Sequence, residues 1–213
     1  MLMKKSFVLV LFSVYISAAF AGDARYEAAV KQQIVAIYQG TDIASIQSAV
    51  NSLERISAAE KDKWEPLYYI GFGYVMMANR ESNGTTKDQY LDRADEAALK
   101  AIDLSPGNSE IVALQGFVTM IRLTVDPATR GPRMSGQAMQ LFGQAIALNP
   151  NNPRALGLMA QMQAGTAKFF GAPMDESCAT ARKALEKFTS AEEASLAPRW
   201  GKEMVEEMLK ACH

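Results

Sequence analysis

The 213-residue chain is 49% hydrophobic and 21% charged, which excludes a disordered chain and suits one domain with a continuous core. Its 22 basic and 23 acidic residues give a net charge of −1 and exclude the basic surface that a nucleic-acid partner demands. A single histidine, His213, with Cys178 and Cys212 supplies too few soft ligands for a zinc site, so no metal and no other cofactor are expected.

The chain begins with MLMKK, then the apolar run Phe7 to Ile16, then AAFA with Ala19 and Ala21 at signal-peptidase spacing. Residues 1–21 therefore read as a secretory signal peptide, and residues 22–213 as the mature domain. The apolar run is too short to span a bilayer, which needs roughly 20 residues. Removing Lys4 and Lys5 from the 22 basic residues leaves 20 against 23 acidic in the mature chain. The expected location is the periplasm, where one disulfide is permitted.

Beyond the signal, apolar residues recur at helical spacing, and no alternating Val/Ile/Thr run argues for a strand. The breaks predict eight or nine helices. They fall at Gly40-Thr41, near Ser57, at Glu81 to Asp88, Ser105 to Asn108, Val125 to Gly136, Asn149 to Pro153, Gly171 to Asp175 and about Thr189 to Pro198, all rich in Gly, Pro, Asn or Ser. Residues 23–57 read as an N-terminal helix pair and Pro198 to Ala211 as a capping helix.

Between these ends the sequence repeats. A shift of 44 residues superposes Ala94, Ala98, Ala101, Ile102, Leu104, Pro106 and Asn108 on Ala138, Phe142, Ala145, Ile146, Leu148, Pro150 and Asn152. The alanines let a neighbouring helix approach, the prolines stop the helix, and Asn108 and Asn152 are placed to cap the next one. This pattern resembles the tetratricopeptide repeat, with Gly71, Gly116 and Ala160 at the small position of each first helix. The resemblance implies an all-α, right-handed α-solenoid of about three TPR-like hairpins. The usual unit has 34 residues, and the excess here is expected in the loop between a hairpin's two helices.

The run ERISAAEKDKWEPLYYIGFGYVMMA, with DPATRG, NPRA, FFG and LAPRWGKE, resembles a family of exported tetratricopeptide-like proteins of gram-negative bacteria. That resemblance covers about Leu53 to Glu203. It implies a helical-repeat fold and export, and supplies no substrate and no catalytic residue.

Chemistry is sparse in the sequence. Gly71-Phe72-Gly73 lies within a helix rather than after a strand, so it is no nucleotide loop, and no nucleophile has an evident base. An enzyme is not expected. Trp64, Tyr68, Tyr69 and Phe72 form a helical stripe that suits core packing first and a binding groove second. Trp200 is expected to plug the last repeat against Phe169 or Phe170. Arg130 and Arg133 occupy the longest expected loop, near Glu81, Asp88, Asp175 and Glu176. They suit ion-pair stapling, or an anion clamp on a bound peptide.

Cys178 heads the stripe Ala181, Leu185, Phe188, and Cys212 ends the stripe Trp200, Met204, Met208. Both sulfurs are thereby expected in one seam, where a disulfide can form. The functional expectation is a non-catalytic scaffold binding a protein or peptide of the cell envelope through Arg130, Arg133, Trp64 and Tyr68. The alternative is a small-ligand-binding accessory component of a periplasmic transport system.

Overall fold

A computed structural model describes residues 23–190 and 195–212. The expected signal peptide, 1–21, lies outside the described residues. The described helices are α1 (residues 23–39), α2 (Ile43–Ala59), α3 (Glu65–Arg80), α4 (Gly84–Leu104), α5 (Ser109–Leu123), α6 (Pro127–Leu148), α7 (Pro153–Phe170), α8 (Asp175–Ser190) and α9 (Lys202–Leu209).

Each helix from α2 to α9 packs against its neighbour in the chain. α3 also touches α5, α5 touches α7, and α7 touches α9. That pattern defines a helical solenoid. The first helices of the hairpins α3–α4, α5–α6 and α7–α8 stack as one layer, with α9 added at its end, and the second helices form the other layer. α1 and α2 precede the first hairpin and bury Tyr26, Val30, Ile34, Ile37, Ile46, Ala49, Val50 and Leu53.

Small residues set the spacing between the layers. A Cβ added at Gly116 would lie 2.4 Å from Phe142 Cε1, and one at Gly71 would lie 3.1 Å from Leu114 Cδ2 and 3.2 Å from the Ala94 carbonyl oxygen. Real Cβ atoms do not approach as closely as 2.4 Å, so Gly116 excludes a side chain, and at Gly71 a Cβ would be tight enough to push on its neighbours. Ala94, Ala98 and Ala101 on α4, with Ala138 and Ala145 on α6, are fully buried on the facing sides.

Caps place the helix starts. The Asn108 side chain accepts from the Glu110 amide, and that of Asn152 accepts from the Arg154 and Ala155 amides. Both satisfy N–H groups that lack a partner within the helix. Asn152 also donates to the Ser109 hydroxyl at 2.7 Å, and Ser109 donates to the Ala145 carbonyl at 2.8 Å, so the cap ties consecutive hairpins together.

The repeat lengthens in its helices rather than in its loops. The stretch Val125 to Gly136, expected as a break, is mostly helical: α6 starts at Pro127, one residue after its N-cap Asp126, and continues through Pro132. α4 likewise starts at Gly84, inside the expected Glu81 to Asp88 break. The residue before a proline ordinarily avoids the helical region because its Cβ crowds the ring. Here that residue is Gly131, which has no Cβ, and Ser135 donates to the Gly131 carbonyl at 2.7 Å. At the end of α7 the chain turns through Gly171, at φ 65°, a left-handed conformation that suits glycine.

A cleft between the stacked helices and the C-terminal segment

The stacked layer of α3, α5 and α7 presents a face that the C-terminal segment partly covers, leaving a cleft of about 900 Å³. α3 contributes Phe72, Met76 and Asn79, and α5 contributes Phe117, Met120 and Ile121. From α7 come Met162, Gly165, Thr166, Phe169 and Phe170, and the first turns of α6 add Pro127, Ala128, Gly131, Pro132 and Ser135. Trp200, Gly201, Glu203 and Met204 close the remaining side.

An aromatic layer forms part of the wall. Trp200 stacks on Phe72 with ring centroids 4.9 Å apart and on Phe117 at 5.3 Å, with interplanar angles of 24° and 21°. The indole N–H donates to the Tyr68 hydroxyl oxygen at 3.0 Å, which fixes the ring's orientation. Trp200 thus packs on Phe72 and Phe117, not on Phe169 or Phe170. Those two lie on the rim, 82% and 74% exposed, in edge-to-face contact with each other. Two adjacent phenylalanines left that open at the margin of an apolar cleft form a surface that a ligand can cover.

The segment bearing Trp200 is held by two phenols, the buried Tyr69 and the more exposed Tyr38. The Tyr69 hydroxyl donates to the Leu196 carbonyl at 3.0 Å, and the Arg199 amide donates to the Tyr38 hydroxyl oxygen at 3.1 Å. Burial pushes the Tyr38, Tyr68 and Tyr69 hydroxyls above the ordinary tyrosine range, so all three remain neutral. Behind them Arg154, nearly buried, makes a bidentate pair with Glu110 through two bonds of 2.6 Å. Burial disfavours the Arg154 charge, but the Glu110 carboxylate outweighs it and holds the guanidinium above its usual range.

The structure distributes the sequence-nominated residues over different places. Tyr68 is fully buried and supports Trp200 from behind, so it has no surface to offer a ligand in the cleft. Trp64 is the N-cap of α3 and packs edge-on against Tyr68 at 5.9 Å, outside the cleft lining. Arg130 grips Asp88 through bonds of 2.7 and 2.6 Å and donates to the Arg122 carbonyl at 3.1 Å. Its guanidinium is committed to stapling α6 to α4. The Arg130 bonds and charge, with the charge of Arg122, hold the Asp88 carboxyl below its usual range despite partial burial. Arg133 is exposed and follows the cleft residue Pro132.

Cys178, in the first turn of α8, and Cys212, beyond α9, are joined by a disulfide with Cα atoms 5.8 Å apart. It anchors the far end of the segment that carries Trp200 and Met204.

Of the cleft residues, the sequence singled out Phe72, Trp200, Phe169 and Phe170 and missed those contributed by α5 and the start of α6. A signal for the α5 wall is the onward continuation of the α3 stripe: Phe72, Met76 and Asn79 are spaced i, i+4, i+7, and Phe117, Ile121 and Thr124 repeat that spacing 45 residues later. Thioethers from Met76, Met120, Met162 and Met204 are the soft donors in the lining. His213, the chain's single histidine, lies outside the described residues. Among the described residues no cluster of His, Cys, Asp and Glu gathers as a metal site, and no helix is long and apolar enough to cross a membrane.

No family model matches the sequence, and no curated protein sequence matches it. Among solved structures the chain is similar to the HusA haemophore from Porphyromonas gingivalis, with a TM-score of 0.78 and 26% identity over 88% of this chain and 92% of that one. It is also similar to a thermophilic TPR protein from Thermus thermophilus, with a TM-score of 0.55 and 17% identity over 83% and 90% of the two chains. The second likeness is one of fold.

Proposed function

We propose that the protein is a non-catalytic carrier that holds a flat, largely apolar macrocycle of the haem class in the cleft beside Trp200. The observation that carries this reading is the cleft: about 900 Å³, bounded by the Phe72–Trp200–Phe117 layer and rimmed by exposed Phe169 and Phe170. That volume is at the upper end of small-molecule sites, and the lining matches their usual apolar and aromatic character. Similarity to a haemophore across most of both chains supports the same ligand class. Such a ligand would bury a flat face against stacked rings and methionine side chains, with the hydrophobic effect as the main driving force.

This reading favours a small ligand over the envelope protein or peptide expected from the repeat pattern. Arg130, one arm of the expected peptide clamp, is occupied by Asp88, and Trp64 and Tyr68 face the core or its margin rather than an open groove. Export to an oxidising compartment belongs to the same proposal, supported by the Cys178–Cys212 disulfide.

The test is an equilibrium titration of the purified protein with haem, followed by the absorbance of the bound macrocycle. Saturable one-to-one binding is expected at micromolar concentration or below. In a Phe169→Asp/Phe170→Asp variant, whose substitutions sit at exposed positions, binding should weaken at least tenfold with folding preserved. Absence of saturable binding to the parent would refute the reading.

A further inference from the structure

Glycine within a helix costs stability relative to alanine, so each such glycine calls for a reason. Close packing supplies it at Gly73, Gly116 and Gly157, where an added Cβ would stand 2.6, 2.4 and 2.8 Å from Val50, Phe142 and Val205. Gly165, in the interior of α7, has no such neighbour: a Cβ there would meet nothing within 4 Å. Gly131 is as open but precedes Pro132, and Gly136 is as open but lies outside the cleft lining. Packing of the fold gives no reason for Gly165, whereas the cleft that it lines does.

The register of the stacked helices shows what the missing side chain leaves. Gly71, Gly116 and Ala160 are the matching small positions of α3, α5 and α7. One residue on come Phe72, Phe117 and Gln161, five residues on come Met76, Ile121 and Gly165, and all six line the cleft. Along the second row the wall is therefore a thioether, then a branched aliphatic side chain, then bare backbone. Gln161 and the largely exposed Phe169, one helical turn to either side of Gly165 on the same face, flank the gap. The cleft thus has a recess over α7 between a carboxamide and an aromatic ring.

We infer that this recess seats the ligand: an edge of the flat macrocycle enters over Gly165, between Gln161 and Phe169, and Gly165 determines whether so wide a ligand is admitted. The inference rests on the carrier reading and names a specificity-determining residue for it. Without a side chain at this position the ligand comes within van der Waals reach of the α7 backbone, and it removes apolar surface of Phe169 from water. A side chain there would fill the same space, and a wall built on packed helices does not retreat to make room.

The experiment measures haem affinity by absorbance titration for the parent, Gly165→Ala, Gly165→Leu and Gly136→Leu. Gly165→Leu should weaken binding about tenfold or more, since overfilling a packed site is costly, and Gly165→Ala should weaken it by less. Gly136→Leu puts the same side chain on an open helical glycine outside the cleft and should leave the affinity unchanged. Alanine and leucine both favour helix over glycine, so neither Gly165 variant should melt below the parent. Parent-like haem affinity in Gly165→Leu, an equal loss in Gly136→Leu, or a melting temperature that falls together with affinity in Gly165→Ala would each overturn the inference. A parent protein that did not bind haem would instead overturn the carrier reading itself.

Discussion

Glycines at two helical positions show how a single residue divides structural from functional space. Gly116 faces Phe142 with no room for a methyl group, so Gly116→Ala should destabilise the fold by about 1–3 kcal/mol through overpacking. Gly165 lies on the cleft wall, where an added methyl group would meet nothing within 4 Å, and Gly165→Ala should stabilise by about 0.4–1 kcal/mol by restricting the unfolded chain. Urea denaturation of both variants checks the pair, and the same sign of change in both would contradict it. The Asp88–Arg130 contact gives a pH signature. Because the folded Asp88 carboxyl titrates below its ordinary value, the stabilisation is complete above about pH 4 and is lost as pH falls through the lower folded value. Asp88→Asn should therefore reduce stability at pH 6 while making the fall below about pH 4 shallower, as denaturation at several pH values would show. The hydrogen-bonded arginine was visible in the sequence only as one of two candidates in a loop. Three apart on α6, the two arginines share a helix side, and it is Arg130 that reaches Asp88, a choice that depends on α6 beginning at Pro127 and on where α4 lies beside it.

At the scale of elements, most of the fold was legible because its signals are local and repeated. The 44-residue shift, the alanine stripes and the Pro–Asn stops fixed α4 to α7 as related units, and the caps at Asn108 and Asn152 placed two helix starts. The start of α6 was not legible, because Gly and Pro within a few residues ordinarily mark a break, whereas here the proline follows a glycine and stays helical. Pro132 still leaves the Ala128 carbonyl without its helical donor. Pro132→Ala should raise stability by about 1 kcal/mol or more, read as a higher melting temperature in calorimetry. An unchanged or lower melting temperature would mean that the proline's restriction of the unfolded chain outweighs the missing bond. The covering segment was also illegible. Its place depends on Tyr69 reaching Leu196 and Tyr68 reaching Trp200, bonds spanning 127 and 132 residues that no periodicity encodes.

For the whole molecule, the stacked helices α3, α5 and α7 make a face and the C-terminal segment converts part of it into a cleft. The disulfide closes a 34-residue loop that contains this segment. Cys178→Ser/Cys212→Ser should lower stability by up to about 3–4 kcal/mol in the chain-entropy model, measured by chemical denaturation against the oxidised parent. An equal stability would show that packing of α9 on α7 alone holds the segment. The central claim is that the cleft beside Trp200 is a ligand site, and its most direct test is a crystal structure of the protein grown with saturating haem. The account predicts one macrocycle in the cleft, with the Phe72, Trp200 and Phe117 layer and Met204 on one side and Phe169 and Phe170 at its margin. A macrocycle bound elsewhere on the molecule, with the cleft empty, would contradict it.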